Sequence, residues 1–153
     1  MSKSEQRTFP AQFDSLSAID QFVADAAERA GFDHCTVYQV QLAVDEACSN
    51  IIEHAYGGEG RGTIECSLHV STAELTIVLR DYGDPFDPRS VPEPDVEASL
   101  AERTGGGLGL YFIRHIMDDV KFEFDREEGN RLTMVKRGEP RARSEGADSG
   151  QGT

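Results

Sequence analysis

The chain has 153 residues, 28 acidic against 15 basic, for a formal charge of −13. That balance disfavours nucleic acid or anionic lipid as a main partner, and any polyanionic ligand would need a metal ion or a local basic patch to offset the field. The length suits one domain with a real core, no apolar run could cross a membrane, no apolar signal region follows the polar residues 1–8, and Cys35, Cys48 and Cys66 lack disulfide or zinc spacing, so a cytoplasmic protein is the simplest reading.

In chain order, residues 7–13 are expected to form a short edge strand near Pro10. A helix is expected from Ser15 or Ser17 to Gly31, because Leu16, Ile19, Phe22, Val23, Ala26, Ala27 and Ala30 share one side and Gly31 stands where a C-cap belongs. A second helix is expected from about Thr36, whose spacing to Gln39 fits a capping box, to about Ala55. Its core stripe is Val37, Val40, Val44, Cys48, Ile51 and Ala55. Glu46 and Asn50 lie one turn apart, roughly opposite that stripe, where a plain solvated face is the blandest account.

Two segments of period-two alternation follow: Ile64, Cys66, Leu68 and Val70, then Leu75, Ile77 and Leu79. The short connection Ser71-Thr72-Ala73 makes them an antiparallel hairpin. The second strand leaves through the turn-rich residues 80–88. Residues 89–106 form an acidic connector of the length found in lids, binding loops or disordered segments. Thr104-Gly105-Gly106-Gly107-Leu108-Gly109-Leu110 then leads into a helix reaching about Asp119. Glycines ahead of a helix leave backbone N–H groups free at the positive end of its dipole, which suits a phosphate chain. The stretch has neither a Walker ending nor a preceding strand, so on its own a flexible connector is equally open. A second hairpin follows, with Val120, Phe122 and Phe124 in one strand and Leu132, Met134 and Lys136 in the other, joined through Glu128-Gly129-Asn130. Residues 138–153 are expected to be a disordered polar tail after a single domain, 1–137. Strands in adjacent pairs rule out a βαβ series, and the expectation is an α+β two-layer sandwich with helices on one face of a mostly antiparallel sheet.

Three polar clusters stand at element ends, and their chemistries are complementary. The amide of Asn50 suits a hard cation such as Mg²⁺. The carboxylate of Asp81 suits an exocyclic amino group, and Gly83 lets the backbone approach a flat base. Glu46 is placed to take a proton from a hydroxyl.

In this order, the clusters resemble the ATP-binding fold shared by gyrase, Hsp90, histidine kinases and MutL, and most closely the bacterial anti-sigma-factor serine kinases. The N-box is similar to Glu46-Ala47-Cys48-Ser49-Asn50-Ile51-Ile52-Glu53-His54-Ala55-Tyr56. The first glycine box is similar to Asp81-Tyr82-Gly83-Asp84-Pro85-Phe86-Asp87-Pro88. The second is similar to Gly105-Gly106-Gly107-Leu108-Gly109-Leu110, and Met117-Asp118-Asp119-Val120 also fits. The likeness covers roughly residues 10–137. It implies a mixed, mostly antiparallel sheet backed by helices, with ATP between helices under a lid at residues 89–104. It implies that Asn50 holds Mg²⁺ and the phosphates, Asp81 binds the adenine amino group, and Gly83 lines the base. Gly105, Gly106, Gly107, Leu108 and Gly109 would wrap the phosphates, and Glu46 would activate a serine on an anti-anti-sigma (STAS-type) protein. The partners implied are that antagonist and a sigma factor, and a homodimer is suggested.

Two positions depart from the family pattern. Asn130 stands where the family often has a Thr that aids adenine binding, and an amide can also donate and accept. Arg103 is the nearest candidate for the Arg that reaches the γ-phosphate, but extra glycines separate it from Gly109. His54 fits a packing or capping role, His115 lacks the surroundings of a phospho-acceptor histidine, and Cys48 falls on the core stripe. The rival reading is a nucleotide-gated binding module without kinase activity, in which ATP sets only partner affinity.

Overall fold

The computed structural model describes residues 3–85 and 113–138. Within them, the alternating segments form a sheet of order β1-β2-β3-β5-β4. Its strands are β1 (Lys3–Pro10), β2 (Thr63–Ser71), β3 (Glu74–Asp81), β4 (Asp119–Asp125) and β5 (Gly129–Arg137). Every pairing among the described residues is antiparallel, so the fold is α+β without the parallel pair that a mixed sheet would include. The two sequence-local hairpins sit side by side, because β3 pairs with β5 in a register that sets Asp81 opposite Asn130.

Helices α1 (Leu16–Arg29) and α2 (His34–Asn50) cover one face. Ile64, Cys66 and Leu68 of β2, Leu75, Ile77 and Leu79 of β3, and Met134 of β5 are buried in one cluster with Ile19, Val23, Val40 and Val44 of the helices. Each such aliphatic side chain, fully buried, contributes about 1.5–3 kcal/mol. The alternate residues on these strands, among them Glu65, Ser67, Thr76, Val78 and Thr133, stay partly exposed on the opposite face. This is the period-two signature of a sheet covered on one side.

Three element boundaries differ from the sequence reading. The edge strand starts at Lys3 and ends at Pro10 rather than running from 7 to 13. Two positions in phase with buried Phe9, Glu5 and Arg7, are charged, which hides the alternation, and both have a contact. Glu5 pairs with Arg29 of α1, and the Arg7 guanidinium lies 5.1 Å from the Phe9 ring centre and 5.3 Å from that of Phe22. The second helix is capped by Asp33, whose Oδ1 accepts from Thr36 N–H at 2.8 Å. Thr36 therefore lies inside the helix rather than at its cap, since a carboxylate is the stronger acceptor for the free N–H groups of the first turn. The last helical turn covers 113–116 and strand β4 begins at Asp119, because Asp118 N–H already donates to the Val135 carbonyl of β5 at 2.8 Å.

After Asn50 the helix widens. Residues Ile51–Ala55 form a π-helical turn, closed by Tyr56 N–H on the Ile51 carbonyl at 2.9 Å. Nothing in the apolar spacing marks that change of pitch. Such turns concentrate at functional sites, and this one follows directly on a candidate site residue.

Candidate functional site

The widened turn has a consequence for the end of β3. The Ala55 carbonyl accepts from Asp84 N–H at 2.7 Å, drawing the segment after β3 against the helix end. A Cβ on Gly83 would sit 2.5 Å from both the carbonyl carbon and oxygen of Ala55, so no side chain fits there. From the other side, a Cβ on Gly129 would lie 2.6 Å from the Asp81 carbonyl oxygen, and Gly129 has φ 88°. The Asp81–Asp84 turn is thus held between two glycine positions that allow close backbone approach. Tyr56 ties down the same corner. Its hydroxyl accepts from Tyr82 N–H at 2.9 Å and donates to the Thr63 carbonyl at 2.7 Å, joining the ends of β2 and β3 to the π turn.

Between this corner and α2 lies a cavity of about 470 Å³, counted out to its open mouth. Asn50 lines it from α2, Asp81 from the end of β3, and Asn130 from β5. Ala47, Ile113, Phe122 and Leu132 supply apolar wall, and Phe124 stands near the mouth at 39 % exposure. Asp81 is 4 % exposed. Its Oδ1 accepts from Gly83 N–H at 2.9 Å and from Asn130 Nδ2 at 2.8 Å. Burial pushes the carboxyl upward from its ordinary pKa, and the two donors pull it down. Both hydrogen bonds from described residues fall on Oδ1, which leaves Oδ2 as the oxygen for a ligand donor.

The remaining sequence-derived residues divide clearly. Glu46 is half-buried one turn before Asn50, outside the cavity wall. Burial raises its pKa, and the charges of Asp45 and Glu53 raise it further, which strengthens it as a base once ionised. Gly83 lies at the seam with Ala55, on the Tyr82 side of the corner rather than in the cavity wall. Arg103, Gly105, Gly106, Gly107, Leu108, Gly109 and the lid residues 89–104 lie outside the described residues. Sequence reasoning missed Tyr56 as a clamp, though it sits inside the quoted N-box. It also gave Phe122 and Phe124 only as alternating residues of a strand. A hint was available: they end a short strand whose outward residues, Lys121, Glu123 and Asp125, are all charged, beside the predicted Asn130 turn.

A buried acid at the apolar end of a cleft, with an amide on the facing helix, fits a base carrying an amino group at one end and a cation-bound anion at the other. The family model described as the histidine kinase-like ATPase domain matches residues 9–136. A serine-protein kinase RsbW from Halalkalibacterium halodurans is 32 % identical over 135 residues, 86 % of this chain and 81 % of the relative. The chain belongs to the RsbW branch of the histidine kinase-like ATPase family. A second RsbW, from Listeria innocua, is 32 % identical over 131 residues, 83 % of this chain and 82 % of the relative. Among solved structures, the RsbU and RsbW domains of a Mycobacterium tuberculosis protein superpose with a TM-score of 0.61 over 88 % of this chain at 14 % identity. That likeness bears on the fold, and this chain spans 32 % of that longer one. No helix among the described residues is long and apolar enough to cross a membrane.

Proposed function

We propose that the protein is an ATP-dependent serine kinase acting as an anti-sigma factor, binding a sigma factor and phosphorylating an anti-anti-sigma protein on serine. The observation that carries this reading is the convergence of Asn50, Asp81 and Asn130 on one cavity, with Glu46 one helical turn from Asn50. Asp81 would take the adenine amino group, and Asn50 would hold Mg²⁺ through its amide oxygen. No cluster of three or more His, Cys, Asp or Glu among the described residues could hold a metal. A Mg²⁺ ion here would need oxygen donors beyond Asn50, a kind that a polyphosphate and water offer. When bound, Mg·ATP supplies the phosphoryl group and offsets its charge. The chain contributes position and proton handling: residues 103–109 against the phosphates, and Glu46 on the serine hydroxyl proton. A single catalytic domain over 1–137, a cytoplasmic setting and a homodimer belong to the same proposal.

The test is transfer of label from γ-labelled ATP to a candidate antagonist. Serine labelling lost in Glu46→Gln while nucleotide binding persists supports the kinase. Labelling undiminished in that variant removes Glu46 as the base. The second reading is a nucleotide-gated binding module, and the position of Glu46 outside the cavity wall is the observation in its favour. No transfer, with partner affinity differing between ADP and ATP, would decide for it.

A further inference from the structure

We propose that Asn130 is a positioning residue for base selection: by committing its amide hydrogens to the Asp81 turn, it keeps Asp81 an acceptor-only carboxylate and so selects 6-amino over 6-oxo purines. The inference rests on the adenine-nucleotide reading of the cavity and concerns a role that runs through Asp81 rather than through contact with the ligand.

The geometry leaves Asn130 one orientation. Its Nδ2 lies 2.8 Å from Asp81 Oδ1, 3.0 Å from the Gly83 carbonyl and 3.4 Å from the Asp84 carbonyl. A carboxylate and two carbonyls only accept, so a flipped amide would set oxygen against three oxygens. The residue is 8 % exposed, and the β3–β5 register holds it opposite Asp81. The donor capacity of Asn130 is therefore directed at the turn and not at the cavity. Asp81 Oδ2 is thereby the acceptor at the base end of the cavity. A 6-amino group donates into it. A 6-oxo group would bring lone pairs against buried lone pairs, and a site built for a donor rejects an analogue that lacks one.

That selectivity holds only while Asp81 is ionised, because a protonated carboxyl would donate to a 6-oxo group. Burial favours the protonated form, while the N–H groups of Asn130 and Gly83 oppose it. The groups facing Asp81 supply little else. Its own turn carries Asp84, a like charge, and the π turn brings Tyr56, whose hydroxyl is engaged with Thr63 and Tyr82. Helix α2 brings neutral Asn50, and β4 brings Phe122 and Phe124. Arg131 of β5 has its Nε on Glu123 at 3.2 Å. Among the described residues, the two N–H donors are what hold the charge.

The test is calorimetric titration of ADP and of inosine diphosphate (6-oxo, no 2-amino group) with Mg²⁺ between pH 5.5 and 8.5. The unsubstituted chain is expected to prefer ADP at a nearly constant ratio. In Asn130→Ala, Asp81 loses one charge-assisted donor, and the ADP preference should fall about tenfold or more at the acid end and recover toward pH 8.5. Asn130→Thr restores one hydroxyl donor and should move the profile back toward the original. Asn130→Asp, a second carboxyl sharing a proton with Asp81, should favour inosine diphosphate even if the alanine variant fails to fold. An ADP preference and pH profile unchanged in the alanine and aspartate variants overturn the role of Asn130 alone. An unsubstituted chain that binds no ADP overturns the nucleotide reading and this inference with it.

Discussion

The seam between α1 and α2 contains a pair of acids whose titration should be visible in stability. Asp20 of α1 and Asp45 of α2 meet within hydrogen-bonding range, and burial followed by the Asp45 contact pushes Asp20 from 3.8 to about 8. One oxygen of each, Asp20 Oδ1 and Asp45 Oδ1, is sealed from solvent without a hydrogen-bond partner. Two carboxylates offer only acceptors, so a proton between them is what satisfies the contact. None of the ion pairs among the described residues reaches either acid. Cys48 of α2 feels both acids as further negative charge, and Glu46 feels its neighbour Asp45.

In the unfolded chain Asp20 loses its proton near 3.8, whereas in the fold it keeps it to about 8. Between those values the folded state binds more protons, so stability falls as pH rises through the window and the contribution is gone above it. The whole shift would correspond to about 6 kcal/mol. Because Asp20 is only half-buried, solvent screening reduces this, and the cost of one unsatisfied buried group, about 1–3 kcal/mol, is the better scale. Asp45→Asn supplies a permanent donor to Asp20. It should leave stability near pH 4.5 little changed and raise it by about 1–2 kcal/mol at pH 8, or roughly 3–6 °C in Tm for a domain of this size. Urea melts at half-unit pH steps measure both arms. If the variant and the original lose stability in parallel from pH 5 to 8, the shared-proton account is refuted.

Other consequences are open to direct measurement. Gly83→Ala puts a methyl 2.5 Å from the Ala55 carbonyl group, where neither backbone segment can yield cheaply; a loss of about 2–3 kcal/mol in denaturant melts is expected, with weaker nucleotide binding. Tyr56→Phe removes the hydroxyl that joins Tyr82 N–H and the Thr63 carbonyl; it should cost about 1–3 kcal/mol and raise amide exchange at Thr63 and Tyr82. Burial pushes the Cys66 thiol up to about 12 and Cys48 well above its ordinary value, while Cys35 is exposed, so iodoacetamide at pH 8 should label one thiol in the native chain and three after denaturation. Asn50→Ala should bind ADP with an affinity indifferent to Mg²⁺, whereas chelating Mg²⁺ should weaken ADP binding to the original by about tenfold or more; equal Mg²⁺ dependence would remove Asn50 as the metal ligand.

The parts of the fold written in apolar periodicity were legible in the sequence. Both hairpins, both helices and the burial of Cys48 followed from residues recurring at two or at three and four. Features governed by satisfied polar groups were not. The start of β1 is disguised because Glu5 and Arg7 share the side of Phe9, Glu5 paired with Arg29 and Arg7 stacked over the Phe22 ring, contacts 24 and 15 residues away that no local pattern reveals. The π turn leaves the apolar stripe through Ile51 and Ala55 intact while changing which carbonyls are free, so periodicity could not detect it. Asn50 and Asp81 stood out within the quoted boxes and Asn130 as a departure from the family pattern, and their convergence is a matter of sheet order. Only the β3–β5 pairing, which skips β4, brings positions 81 and 130 face to face. That pairing also gives Asn130 a use that its residue type alone does not imply.

The distribution of charge within the cavity separates anchoring from charge neutralisation. The described walls hold Asp81 and Asp84 with one cation, Arg131, already paired with Glu123. In a chain of formal charge −13, such walls repel a polyphosphate, so for a nucleotide seated as proposed the described walls contribute affinity at the base end, through the apolar surface of Ile113, Phe122 and Leu132 and the oriented Asp81 carboxylate. On the proposed reading, the phosphates then depend on charge that arrives with the ligand, such as a divalent ion. A site divided this way should bind adenosine measurably on its own, with an affinity nearly independent of salt and Mg²⁺, whereas tripolyphosphate without Mg²⁺ should not bind. Competition experiments with the two fragments distinguish this from a phosphate-led site, for which the order would reverse.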